Sequence, residues 1–150
     1  MWGGRTRILA VAVLAAAALS GCGRSVPGTP VAAPGTGPVV PELRGVPGEW
    51  VGSYTCAQGE TGLTLTVEPD GRTEFAFYPL VTNGAARPGR FEMRATVDGE
   101  RVTFTRVRWL EHPSGYEMVD LVATERTQQL MRGTVNGSGC SSFRVDRILS

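Results

Sequence analysis

The stretch Glu49-Trp50-Val51-Gly52-Ser53-Tyr54-Thr55-Cys56 decides how the rest of the chain is read. Side chains of a β-strand point alternately to opposite faces. Trp50, Gly52, Tyr54 and Cys56 therefore share one face, and Val51, Ser53 and Thr55 share the other. The strand ends in a cysteine, and the partner available to it is Cys140, near the far end of the chain. A bond between them ties the first strand to the last.

Outward from this stretch the same period of two recurs, broken by turn chemistry rather than by helical spacing. Leu63, Leu65 and Val67 alternate with Thr64 and Thr66; Pro69-Asp70-Gly71 follows, then Thr73, Phe75 and Phe77 alternate with Glu74 and Ala76. A three-residue loop pairs Leu65 with Phe75, Leu63 with Phe77 and Val67 with Thr73. It places Glu68 beside Arg72 and puts Gly71 where a G1 bulge requires positive φ.

A second hairpin runs from Phe91, Met93, Ala95 and Val97 through Asp98-Gly99 to Val102 and Phe104. A two-residue type I′ turn at Asp98-Gly99 predicts Ala95 opposite Val102, Met93 opposite Phe104 and Arg94 opposite Thr103. That register sets Phe91 against Arg106, so a bulge near Thr105 is expected to return Val107 and Trp109 to the core. Residues 116–123 read as a sixth strand with Val119, Leu121 and Ala123 inward; residues 128–135 and 140–148 read as the seventh and eighth. Several loop lengths around Asn136-Gly137-Ser138-Gly139 each satisfy part of the last hairpin, and its register stays open.

Eight short antiparallel strands in sequence predict an all-β fold, a small up-and-down barrel of lipocalin-like topology closed by a disulfide. In a closed meander of even strand number, the end of strand one lies beside the start of strand eight. Cys56 and Cys140 fall there. The interior is compatible with either a filled core or a pocket, since eight-stranded barrels occur both ways.

The N-terminus reads as an address. Arg5 and Arg7 precede a continuous apolar run over residues 8–19, too short to span a bilayer as a helix but suited to a signal peptide. Leu19-Ser20-Gly21-Cys22 follows and resembles the lipobox of bacterial lipoproteins. The resemblance implies cleavage before Cys22 and lipidation of its thiol, so residues 1–21 are the leader. It also implies a lipid anchor in the membrane and a place on the outer face of the cytoplasmic membrane, in a monoderm or diderm host. With Cys22 lipidated, Cys56 and Cys140 are the two thiols left in an oxidising compartment. Residues 22–47 are rich in Pro and Gly, without periodicity, and read as a flexible linker; residues 48–150 read as the barrel domain.

Composition narrows the function classes. The chain of 150 residues has no lysine, so Schiff-base and lysine general-base chemistry are excluded. Formal charge is +1 for the whole chain, and removing the leader with its two arginines leaves a nearly neutral protein with no electrostatic reason to bind nucleic acid. There is no phosphate-binding glycine loop, no dinucleotide fingerprint and no metal-ligand spacing, and no cofactor is expected.

The pattern Trp50-x-Gly52-x-Tyr54-x-Cys56, with Phe77-Tyr78, Trp109-x-x-x-Pro113-x-Gly115-Tyr116 and Cys140-x-x-Phe143, is similar to a small, functionally unassigned bacterial module. It is carried on the extracytoplasmic side of lipoproteins and secreted chains, especially in actinobacteria, and implies no catalytic residues. Tyr54-Thr55-Cys56 and Ser114-Gly115-Tyr116 also resemble lipoprotein lysozyme inhibitors, whose motif lysine has no counterpart here.

Candidate chemistry centres on the loops 80–89 and 109–116. His112 is the single histidine and neighbours Ser114 and Glu111. A triad needs its members to converge from separate elements, so three neighbours in one turn predict a solvated loop histidine rather than a base. Arg90, Arg94, Arg101, Arg106 and Arg108 crowd two strands, where cross-strand pairing with Glu92 and Glu100 is expected ahead of an anionic polymer. The expectation is a monomeric, non-enzymatic module. It would meet a small ligand, a wall polymer or a protein through a rim that includes Trp109, His112, Ser114 and Tyr116. The alternative is an inhibitor of a wall hydrolase.

Overall fold

The computed structural model describes residues 40–149. The leader, the lipobox with Cys22 and the linker up to residue 39 lie outside the described residues. Within them, the Leu63–Phe77 hairpin forms as its residues dictate. β2 (Gly59–Val67) and β3 (Arg72–Tyr78) pair Leu63 with Phe77, Leu65 with Phe75 and Val67 with Thr73. Glu68 and Arg72 close the loop through backbone hydrogen bonds, and Gly71 sits at φ 87°.

The remaining strands are β1 (Gly48–Cys56), β4 (Gly89–Asp98), β5 (Arg101–Glu111), β6 (Asp120–Arg126), β7 (Leu130–Asn136) and β8 (Ser142–Arg147). Each is antiparallel to the next, and β8 pairs with β1, so the sheet is a closed eight-stranded barrel. Closure brings the backbones of β1 and β8 close at Gly52, where a Cβ would stand 2.0 Å from the Arg144 carbonyl oxygen. A disulfide joins Cys56 to Cys140 across 84 residues. The register of the last hairpin, open in the sequence, pairs Met131 with Val145 and Gly133 with Phe143.

The interior is filled. Trp50, Leu63, Leu65, Phe75, Phe91, Met93, Phe104, Leu121, Met131 and Val145 are at most 1% exposed. Phe75 stacks on Phe91 at 4.5 Å, and Tyr54 meets Phe75 edge-on at 5.2 Å. At the end of the barrel where β1 begins, here called the base, a 3-10 turn (Pro41–Leu43) lies across the opening. Leu43 and Val46 join the core at 2% and 0% exposure, and Val46 accepts a hydrogen bond from the Trp50 indole. Residues 40–47, assigned above to the linker by their prolines and glycines, therefore plug the barrel. Two apolar side chains suffice, because a barrel end offers a ready-made apolar seat.

Three local expectations are corrected. The β4–β5 turn is centred on Gly99 and Glu100, so Val97 faces Val102 and Ala95 faces Phe104. This buries Val102 against β4 with the inward face of both strands unchanged, whereas the Asp98-Gly99 turn would set Val97 opposite Glu100. The bulges lie at Val107 and Leu110 rather than near Thr105; Trp109 turns inward and is half-buried, but Val107 is 50% exposed. β6 begins at Asp120, and residues 116–119 are not strand, although Val119, Leu121 and Ala123 are buried as expected.

Candidate functional site

β1 runs from the base to the opposite mouth, where four connections meet: Ala57-Gln58, residues 79–88, residues 112–119 and residues 137–141. Both loops singled out from the sequence lie at this mouth, together with the disulfide. Side chains stitch them into one surface. The Asn83 amide donates to the carbonyls of Gln58 (2.7 Å) and Glu60 (3.1 Å), fastening the β3–β4 loop to the β1–β2 turn. The Tyr116 hydroxyl accepts from the Arg87 backbone N–H at 2.9 Å, joining the β5–β6 loop to the β3–β4 loop.

The aromatic residues come together. The Tyr116 ring stacks on Phe77 with centroids 5.3 Å apart, and Trp109 stacks on His112 at 4.2 Å. His112 Nε2–H donates to the Tyr116 carbonyl at 2.9 Å, which leaves that nitrogen unable to accept a proton from a nucleophile. Pro113 to Tyr116 close a hydrogen-bonded turn that carries Ser114 exposed at its tip. No hydrogen bond joins Ser114 to His112 among the described residues. Trp109, His112 and Tyr116 thus form a folded support, with Ser114 displayed on it.

Between the turn and the cystine lies an open pocket of about 290 Å³, lined by Tyr54, Cys56, Gln58, Tyr116, Glu117 and Cys140. The Tyr54 hydroxyl accepts from the Gln58 amide at 3.1 Å. Burial, then the neighbouring Tyr116 phenol, pushes the Tyr54 phenol above its ordinary range, so it stays neutral. No three His, Cys, Asp or Glu side chains cluster as metal ligands among the described residues.

No family model, curated protein or solved structure matches this chain. The site must be read from its own chemistry. The mouth offers aromatic faces, a neutral phenol, a primary amide and the Glu117 carboxylate, groups able to stack and to hydrogen-bond. Asn83, which fastens the β3–β4 loop to the β1–β2 turn, carries no signal in the sequence beyond membership of a turn. A side chain that reaches a carbonyl 23 or 25 residues away leaves no local pattern.

The arginines on β4 and β5 are largely engaged. Arg108 meets Glu92 at 2.9 Å, and Arg90 lies between Glu74 (3.5 Å) and Glu111 (3.7 Å). Arg94 donates to the Asp70 carbonyl and Arg106 to the Met118 carbonyl. Cross-strand pairing with Glu92 is as expected; Glu100 makes no ion pair among the described residues.

Proposed function

We propose that this chain is a lipid-anchored, non-catalytic module that presents the mouth of its barrel to a wall polymer or a protein outside the cytoplasmic membrane. The observation that carries the reading is placement. The described chain reaches the barrel at its base, through residues 40–47, and β1 carries it to the far end, where the stitched loops stand. A chain held by lipid on Cys22 would have those loops farthest from the membrane. The packed interior argues for an occupant that sits on the mouth rather than inside the barrel. Val81, fully exposed on the β3–β4 loop, adds an apolar contact at the rim.

Capture from a cell-envelope extract tests the reading. A wall-fraction partner retained by the wild type should be lost with Tyr116→Ala or Val81→Asp and kept with Arg132→Ala on the barrel flank. Retention unchanged by both mouth variants would overturn it. The anchor is tested separately: radiolabelled palmitate should enter the wild type and not Cys22→Ala.

A second reading, inhibition of a wall hydrolase, is favoured by the Ser114 turn, an exposed projection backed by the Trp109–His112 stack. Purified protein should then slow a lysozyme, and Ser114→Asp should abolish the effect. No inhibition of any lysozyme tried would sink this reading.

A further inference from the structure

The pocket between the β5–β6 loop and the cystine carries charge of one sign only. Its volume is about 290 Å³, and Glu117 is the one charged side chain lining it among the described residues; no arginine or histidine does. The other carboxylates around this end of the barrel are engaged. Glu60 accepts from the Ser53 hydroxyl at 2.6 Å, Glu111 lies 3.7 Å from Arg90, and Asp120 accepts from the Arg106 backbone N–H at 2.8 Å. Glu117 is exposed and makes no ion pair among the described residues. Its backbone is nevertheless held on both sides. Tyr116 is fixed by its ring stack, its hydroxyl and its carbonyl, and Val119 is buried.

The uncharged groups of the pocket add acceptors. The Gln58 side-chain nitrogen is committed to the Tyr54 hydroxyl at 3.1 Å, so the amide oxygen is the end left to accept. Tyr54 is 4% exposed and brings a phenol oxygen without charge. Val119 and the two sulfurs supply an apolar wall.

A carboxylate without a counter-charge, beside neutral acceptors, favours a cation. An anion would meet Glu117 with no base to offset it. A calcium or magnesium ion takes several oxygen ligands, and no three acidic, histidine or cysteine side chains cluster for one among the described residues. A guanidinium is a planar fork suited to a single carboxylate, whereas acceptors arriving from a loop, a turn and a strand suit the three diverging donors of an ammonium. The aliphatic stem behind an ammonium packs on apolar surface while its head stays polar. This chain has no lysine, so neither its own side chains nor those of a second copy can fill the pocket in this way.

We infer that this pocket binds the side-chain ammonium of a lysine or another diamino acid carried by a peptide. The inference rests on the reading of the mouth as the contact surface and names the group that surface recognises. A wall polymer's peptide and a protein are two sources of that group.

Two-dimensional NMR of the isotope-labelled, full-length protein in detergent tests it, with Nα-acetyl-lysine amide as the probe. Resonances of the Gln58 side-chain amide, Gly115 and Glu117 should shift with a Kd on the order of a millimolar, as suits one small contact. The Nα,Nε-diacetyl probe keeps the stem without the charge and should bind about tenfold more weakly or worse. Glu117→Gln, at an exposed position, should weaken the lysine probe about threefold to fivefold. Glu117→Lys, which brings an ammonium of its own, should abolish binding. The inference is overturned by absence of any shift at about 50 mM probe. Equal binding of the diacetyl probe, or indifference to both Glu117 variants, would also overturn it.

Capture from the cell-envelope extract separates this failure from failure of the mouth reading. Acetylating the amines of the extract should abolish capture. Capture that survives acetylation but is lost with Tyr116→Ala overturns the ammonium and leaves the mouth reading standing. Probe binding without any captured partner supports the pocket and counts against the mouth reading. A captured partner destroyed by protease is a protein, and one that survives protease is a wall peptide; either supports the inference.

Discussion

The Arg147 guanidinium lies 4.1 Å from the centroid of the Trp50 ring, its cross-strand neighbour, and donates to the carbonyls of Gln128 (2.7 Å), Pro47 (2.8 Å) and Gly45. One half-buried cation thereby binds the plug, the β6–β7 turn and the core tryptophan. Burial lowers its pKa, but an arginine stays charged. Arg147→Ala should destabilise the barrel by about 2–4 kcal/mol, the range for losing several charge-assisted hydrogen bonds and a cation–π contact. Arg147→Lys should recover little, because a single ammonium cannot reach three diverging carbonyls. Chemical denaturation of the two variants checks both.

The plug itself predicts a boundary. Residues 48–150, taken as a fragment, should be less stable than residues 40–150 by about 3–5 kcal/mol. The shorter fragment loses the apolar cover of Leu43 and Val46 and orphans the Trp50 indole N–H. Equal denaturation midpoints would show the plug to be dispensable.

Reducing the Cys56–Cys140 bond, or replacing both residues by Ala, should cost about 4 kcal/mol, because 84 residues of separation are released in the unfolded chain. The far-ultraviolet spectrum of the folded state should hardly change, since hydrogen bonds between β1 and β8 close the wall without the sulfurs.

Tyr54 predicts alkaline behaviour. Its folded-state pKa lies above the unfolded value of about 10, so its contribution to stability is complete below pH 10 and drains away as pH rises past it. Of the three tyrosines, Tyr54 should withhold its phenolate absorbance until the barrel opens. Tyr54→Phe should flatten the alkaline limb of the stability curve. A Tyr54 that titrates in the native state would contradict the burial argument.

Local pattern carried much of this architecture. Leu63, Leu65 and Val67 against Phe77, Phe75 and Thr73 came straight from alternation plus a loop of defined length, and the cysteines marked the seam of the barrel. Where two signals competed, the stronger dipeptide misled: Asp98-Gly99 advertises a turn, but burial of Val97 and Val102 against each other places it one residue later. Composition misled at residues 40–47, where Leu43 and Val46 among prolines look like linker until an open barrel end is there to receive them. At the mouth the sequence supplied the members, Trp109, His112 and Tyr116, and missed the fastener, Asn83. Its bonds run from the β3–β4 loop to the β1–β2 turn, which meet once β1, β2 and β3 form one sheet.

The position of β1 has a mechanical consequence. β1 is hydrogen-bonded along nine residue pairs to β2 and along five to β8. A pull applied through residue 40, resisted by a load at the mouth, would act along β1, so those bonds would be sheared together rather than unzipped in turn. The plug and Arg147 would take up the first of the tension, and the cystine at the far end of β1 would hold it last. A barrel loaded along β1 in this way resists force better than one in which the load peels a strand from its edge.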